Sequence, residues 1–310
     1  MSNISSALPG QNRQMPDATS DSMPSLGVRI ITAIKHFAKS SPIGAISAGF
    51  WLLLIIVALF APQIAPYDPL EANYSAIRSG PTLANWLGTD DLGRDVLSRI
   101  IFGSRITLLV AISAVLAGDT LGFLWGVVSG YLGGRFDIVS QRIVEILMSF
   151  PALILALLLL VALGSGLGTV IIAIAVTRIP SATRITRSVV LSIKETAYIE
   201  AATMIGASRM RIMRRHIAPQ CLAPILVIAS LHLGAAIFAE SALSFLGMGI
   251  PPPAASWGNM LGGVLAAAFR PPWWLVIFPG VAITLAILTA NLVGDALRDY
   301  LDPKLRQRIE

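Results

Sequence analysis

Ionisable side chains set inside apolar runs are the residues of this sequence whose chemistry most needs an explanation. His232 and Glu240 lie two helical turns apart and so share one face of any helix that holds them. Asp119 lies midway along another apolar run, and Asn291 and Asp295 make an i, i+4 pair near the end of a third. A charge in hydrocarbon is costly, and such groups by default face a bundle interior or a wet cavity. Two readings are open for Asp119 and Asp295: a functional group, or a carboxylate that is partnered or close to the headgroups. Lining of a pathway is the reading weighed for His232 and Glu240, against a structural one. A metal site has thin support, because the sequence holds three histidines and only His232 sits in an apolar run.

The motifs that would supply an enzymatic step are missing. The sequence has no G-x-x-x-x-G-K-[ST] loop to cradle nucleotide phosphates, no G-x-S-x-G elbow and no H-E-x-x-H pair. Cys221 is the single cysteine, so no internal disulfide framework or thiolate cluster can form, and it reads as a small buried apolar residue. The expectation is a chain that is not an enzyme and holds no cofactor of its own.

What must position these groups is an all-α integral membrane fold. Of the residues, 55% are hydrophobic and 13% charged, more apolar surface than one soluble core needs. A helix needs about 20 apolar residues to cross a hydrocarbon core. Six runs approach that length, about 43–61, 106–131, 146–163, 167–179, 222–246 and 273–297. The fourth is short before Pro180 and is expected to continue past it as a kinked helix. Residues 1–27 have the composition of a disordered tail, and the first run is longer than a signal-peptide core, so it reads as an uncleaved span. The expected layout is a cytoplasmic tail over 1–40, a transmembrane domain over 41–305 and a short tail over 306–310.

Six spans place both termini on one side. The segment 180–221 carries Arg184, Arg187, Lys194, Arg209, Arg211, Arg214 and Arg215 against Glu195 and Glu200, whereas 247–272 carries Arg270 alone. Lys and Arg gather on the cytoplasmic side of membrane proteins. The segment 180–221 and both termini are therefore expected in the cytoplasm, and 62–105 outside. The net charge of +6 follows from this bias and does not call for nucleic acid.

Within the cytoplasmic segment, Tyr198, Ala201, Ala202 and Ile205 fall on one face of a helix. Gly206 follows, where a left-handed residue commonly ends a helix, and Ser208 is placed to cap a second one. Met210, Met213 and Ile217 line one face of that second helix, and Pro219 is expected to end it. The residues alone also fit an amphipathic helix resting on lipid headgroups.

These residues carry a resemblance. Glu200-Ala201-Ala202, Gly206, Ile217 and Pro219 resemble the EAA loop of permease subunits in bacterial ATP-binding-cassette importers, with Ala218 where leucine is usual. Residues 88–99, GTDDLGRDVLSR, are similar to the segment before the second span in dipeptide, oligopeptide and nickel permeases. Residues 241–247, 256–261, 294–299 and 301–303 continue the similarity, which covers about 40–305 and points to the C-type permease.

The resemblance implies a type I ABC importer permease fold of six transmembrane helices, with the loop at about 194–219 coupling it to an ATPase. It implies as partners a related B-type permease, two cytoplasmic ATPase subunits that would hold ATP and Mg²⁺, an extracytoplasmic solute-binding protein, and the lipid of a bacterial inner membrane. Asp90, Asp91, Arg94 and Asp95 would then sit over the outer mouth and contact the binding protein, although a solvated, self-pairing charge cluster fits the same residues. Di- or oligopeptide is the expected cargo, with nickel complexes, glutathione and opines as alternatives. The rival class, an ion-gradient-driven transporter, usually shows inverted repeats, and none is evident here.

Overall fold

The computed structural model describes residues 32, 37–267 and 270–301. Most of the expected N-terminal tail and all of the C-terminal one lie outside the described residues. Among those residues the regular structure is helical, apart from an isolated bridge between Thr89 and Asp95. The helices are α1 (Pro42–Leu59), the single turn α2 (Ala61–Ile64), α3 (Val96–Leu132), α4 (Gly134–Met148), α5 (Ala152–Leu163), α6 (Leu167–Lys194), α7 (Ala197–Met204), α8 (Arg209–Phe245), α9 (Trp257–Ala267) and α10 (Trp273–Leu301). Five are long and apolar enough to cross a membrane, and α4 with α5 makes a sixth when that bent pair is taken as one span.

The centre of the bundle is the pair α3 and α6, and glycines spaced by four bring it together. A Cβ on Gly118 would stand 2.5 Å from the Ala175 carbonyl oxygen, one on Gly122 2.6 Å from the Ala182 Cβ, and one on Gly126 2.6 Å from the Thr183 carbonyl oxygen. Where lipid tails are as apolar as side chains, close backbone approach along such a stripe drives helix association through dispersion rather than through the hydrophobic effect. Helices α8 and α10 cross where Gly234 meets Asn291 and Gly294 meets Ser230 and Leu231. The start of α1 lies on α10 where Gly44 faces Ala296.

At one end, which we call the Asp90 end, α9 lies against α8 through Gly258 and Gly262, each too close to α8 backbone to carry a side chain. Trp257 is 1% exposed and donates its indole N–H to the Ile100 carbonyl at 2.9 Å. At the opposite, Gly206 end, Asp137 of α4 takes a bidentate bond from Arg187 of α6, with Nε at 2.7 Å and Nη2 at 2.6 Å, and accepts a third from Ser129 at 2.5 Å.

Three expectations need correction. The third span is not a helix running straight through 146–163, because the chain breaks between Met148 and Ala152 and turns by 90°. Pro151 explains the break: its ring drives Phe150 out of the helical region. The 12-residue α5 is about 18 Å long, too short to cross hydrocarbon without α4.

The second correction is that Pro219 does not end a helix. Met213–Ile217 form a π turn in which the Ala218 N–H bonds to the Met213 carbonyl, and the chain then continues as helix to Phe245. The widened turn eases the clash between the proline ring and the carbonyl four residues back, and proline has no N–H to lose. The third is that the second span begins at Val96, ten residues earlier than its apolar run. As expected, α6 does continue through Pro180, to Lys194.

Candidate functional site

The segment after α6 folds as a hairpin of α7, a glycine turn and α8. Gly206 has φ +80°, the left-handed region that only glycine enters without penalty. The Gly206 N–H bonds to the Thr203 carbonyl at 3.0 Å and the Ala207 N–H to the Ala202 carbonyl at 3.1 Å, which is the Schellman pattern that closes a helix end. Ser208 caps the next helix through the Arg211 N–H at 3.4 Å. Ile199 and Ala202 turn inward with Ile212, Met213, Ile217 and Cys221, forming a small core under the hairpin.

The outward face of the hairpin is what distinguishes it from a passive connector. Met204, Ile205 and Met210 are 80%, 85% and 59% exposed, and Glu200, Ala201, Gly206 and Ser208 are exposed beside them. Of the four residues expected on one face of α7, Ala202 is buried while Tyr198, Ala201 and Ile205 are exposed, Tyr198 accepting a hydrogen bond from Gln220. A cleft of about 450 Å³ adjoins this face, lined by Lys194, Glu195, Glu200, Thr203 and Arg209 among others. Pro219, expected as part of this loop, is exposed at the first turn after the π segment.

Inside the bundle, the structure separates the two residues expected to line a pathway. Glu240 is 0% exposed. It accepts hydrogen bonds from the hydroxyls of Thr107 on α3, at 3.1 Å, and of Ser244 one turn further along α8, at 2.8 Å. It is an internal clamp in this chain and faces no open space. His232 instead reaches Asp119 of α3, Nδ1 to Oδ1 at 2.7 Å. Among the described residues no third His, Cys, Asp or Glu joins them to make a metal site.

Sequence reasoning missed the third member of this cluster, Arg178 of α6. Its Cβ stands 2.9 Å from where a Cβ on Gly118 would lie, and the Asp119 carboxylate acts on it electrostatically. Both Asp119 Oδ2 and Arg178 Nε are buried without a hydrogen-bond partner among the described residues. An arginine inside the apolar run 167–179, two residues before Pro180, was the available signal. Asn291 lies at the crossing of α8 and α10, and Asp295 is exposed at the Gly206 end.

At the Asp90 end the charged residues bind one another. Asp90 pairs with Arg94 at 2.8 Å and with Arg99 at 3.4 Å. Asp91 pairs with Arg78, and Asp95 caps α3 through the Ser98 N–H at 2.8 Å while accepting from Asn85 at 2.9 Å. Asp90 and Asp95 are 7% and 4% exposed. They shape the loop and are not offered to solvent; its exposed apolar residues include Leu83 and Trp86.

The described helices make a multi-pass membrane protein with charges in its interior and an exposed hairpin at one end. The chain belongs to the family described as binding-protein-dependent transport system inner membrane component, whose model matches residues 122–307. Residues 34–81 match the N-terminal TM domain of oligopeptide transport permease C. Over 262 residues the chain is 41% identical to the dipeptide transport system permease protein DppC of Bacillus subtilis, covering 84% of this chain and 82% of that one. It is 42% identical over 261 residues to the glutathione transport system permease protein GsiD of Escherichia coli, covering 84% and 86%. The fold is similar to that of a chain of the inward-facing MetNI methionine ABC transporter, with a TM-score of 0.55, 20% identity, and 66% of this chain and 98% of that one covered. The chain is thus a multi-pass inner-membrane permease component of an ABC transporter that works with other subunits.

Proposed function

We propose that this chain supplies half of the translocation pathway of an ATP-driven importer of di- or oligopeptides and itself performs no enzymatic step. A related B-type permease would supply the other half, two cytoplasmic ATPase subunits would hold ATP and Mg²⁺, and an extracytoplasmic solute-binding protein would deliver cargo at the Asp90 end. The Gly206 end is then cytoplasmic, with both termini, as its arginines favour. Leu83 and Trp86, rather than the internally paired aspartates, suit a contact with the binding protein.

The observation that carries this reading is the exposed apolar face of the hairpin. Two methionines and an isoleucine on a rigid Schellman turn, with Glu200 beside them, suit a groove on a partner better than water. Small residues such as Ala201 permit close approach. The test is substrate-dependent uptake in liposomes by the assembled complex, with peptides, glutathione, an opine and a nickel complex in parallel, and with Glu200→Ala examined for ATPase capture and stimulated hydrolysis. Wild-type uptake and stimulated hydrolysis in that variant would remove the hairpin from the coupling role. Uptake that follows an ion gradient without ATP would overturn the reading altogether.

A further inference from the structure

We propose that Arg178 binds the carboxylate of a solute in transit, where α3, α6 and α8 meet in mid-membrane; this deepens the importer reading and rests on it. A guanidinium remains charged at any physiological pH. Arg178 lies on a helix that crosses the membrane, and its Nε has no partner among the described residues. The obvious counterion is Asp119, but its Oδ1 is held by His232 at 2.7 Å and its Oδ2 stays unpartnered. His232 thus takes up one oxygen of Asp119, which acts on Arg178 electrostatically but forms no salt bridge with it among the described residues, and the guanidinium keeps capacity for an incoming anion.

A second observation places that cation at the edge of a polar wall. Thr177, Ser181, Arg184 and Ser188 follow one another at intervals of three and four residues, one face of α6, and each is half-exposed or exposed. A polar stripe with an arginine facing lipid would be costly, so this face turns to a water-filled space or to protein. Arg178 is half-buried on the flank of the stripe, between it and the α3-packed face bearing Ala175 and Ala182. A carboxylate moving along the wall meets a planar donor fork suited to bidentate binding. The class of ligand is a small solute with a free carboxylate, such as a peptide C-terminus. Arg184, exposed on the same stripe, offers the next cation toward the Gly206 end.

The experiment uses the complete complex in liposomes with saturating solute-binding protein and labelled tri-alanine. It compares wild type, Arg178→Lys, Arg178→Gln, and Arg178→Gln combined with Asp119→Asn. Loss of a charge-assisted bond to the solute should lower the uptake rate by about tenfold to a hundredfold in Arg178→Gln. Arg178→Lys, which keeps the charge and loses the bidentate fork, should fall between wild type and Arg178→Gln. Complex yield should change little in either variant. The double variant separates binding from structure: if Arg178 only balances Asp119, neutralising both restores uptake, and the proposal fails. Continued loss in the double variant supports it. Wild-type uptake by Arg178→Gln alone also overturns it. If the wild-type complex takes up no peptide at all, the importer reading fails first, and the inference with it.

Discussion

The Nδ1 of His232 lies 2.7 Å from the Oδ1 of Asp119, joining α8 to α3 across 113 residues of sequence. The bond links the glycine-packed pair α3–α6 to the helix that begins in the exposed hairpin. His232→Ala would free Asp119 to turn toward Arg178, neutralising it. Uptake should fall at least about tenfold, as expected for loss of a charge-assisted contact, and adding Asp119→Asn should recover part of it. No recovery in the double variant would show that the histidine acts in some other way.

Glu240 makes a different demand. Its carboxylate is wholly buried between hydroxyls, and a glutamine can accept from one hydroxyl and donate to the other. Glu240→Gln should therefore assemble and transport. Glu240→Ala leaves those hydroxyls unpaired beside a cavity and should cost about 2–4 kcal/mol, read as a lower denaturation temperature in detergent and a smaller yield of complex. Equal behaviour of the two variants would mean the site tolerates a void.

The glycine stripe predicts a graded response. Gly122→Ala places a methyl 2.6 Å from the Ala182 Cβ and 2.7 Å from the Ile179 carbonyl oxygen, so α3 and α6 must part, at about 1–3 kcal/mol. Gly168→Ala, with nothing within 4 Å of its Cβ, should leave the denaturation temperature unchanged. A stability loss at Gly168 matching that at Gly122 would refute close packing as the cause.

At Gly206 there is open space around a Cβ, but φ is +80°. Any penalty must come from the backbone. Gly206→Val should be strained by about 1–2 kcal/mol or more, whereas Gly206→Asn should be milder because asparagine visits the left-handed region. Stimulated ATPase activity should rank glycine, asparagine, valine. Equal activity in all three would dissociate the turn from coupling.

Sidedness is checked with a cysteine at Ser208 after removal of Cys221. A membrane-impermeant thiol reagent should label it only from the cytoplasmic face. Labelling on intact cells would reverse the assignment of the Gly206 end.

What could be read from the sequence were features encoded over one or two helical turns. The α7–Gly206–α8 bend, the Ser208 cap and the passage of α6 through Pro180 are local, and each appears where its residues indicated. Helix α4 was missed because Arg135, Asp137, Gln141, Arg142 and Glu145 interrupt the apolar pattern while fitting a helix at the bundle's edge. Pro219 misled because the π turn that accommodates it has no sequence signal. Glu240 and His232 share a helix, so their spacing suggested a common role. Their partners, Thr107 and Asp119, stand at different levels of α3, and only tertiary packing assigns them. The four-residue spacing of Gly118, Gly122, Gly126 and Gly130 was legible and would have paired α3 with a neighbour in advance.

Because Arg209–Phe245 is one continuous helix, the outer arm of the hairpin and the helix bearing His232 are a single rod. From Arg209 to His232 the rod is about 35 Å long, and its hydrogen-bond ladder is loosened by the wide turn at Met213–Ile217 and by Pro219 and Pro224, which have no N–H to donate. A push at the exposed end is thus leverage on the interior. The π turn and Pro224 are the joints at which that lever can yield, and their stiffness would set how much of a nudge at Arg209 arrives at Asp119.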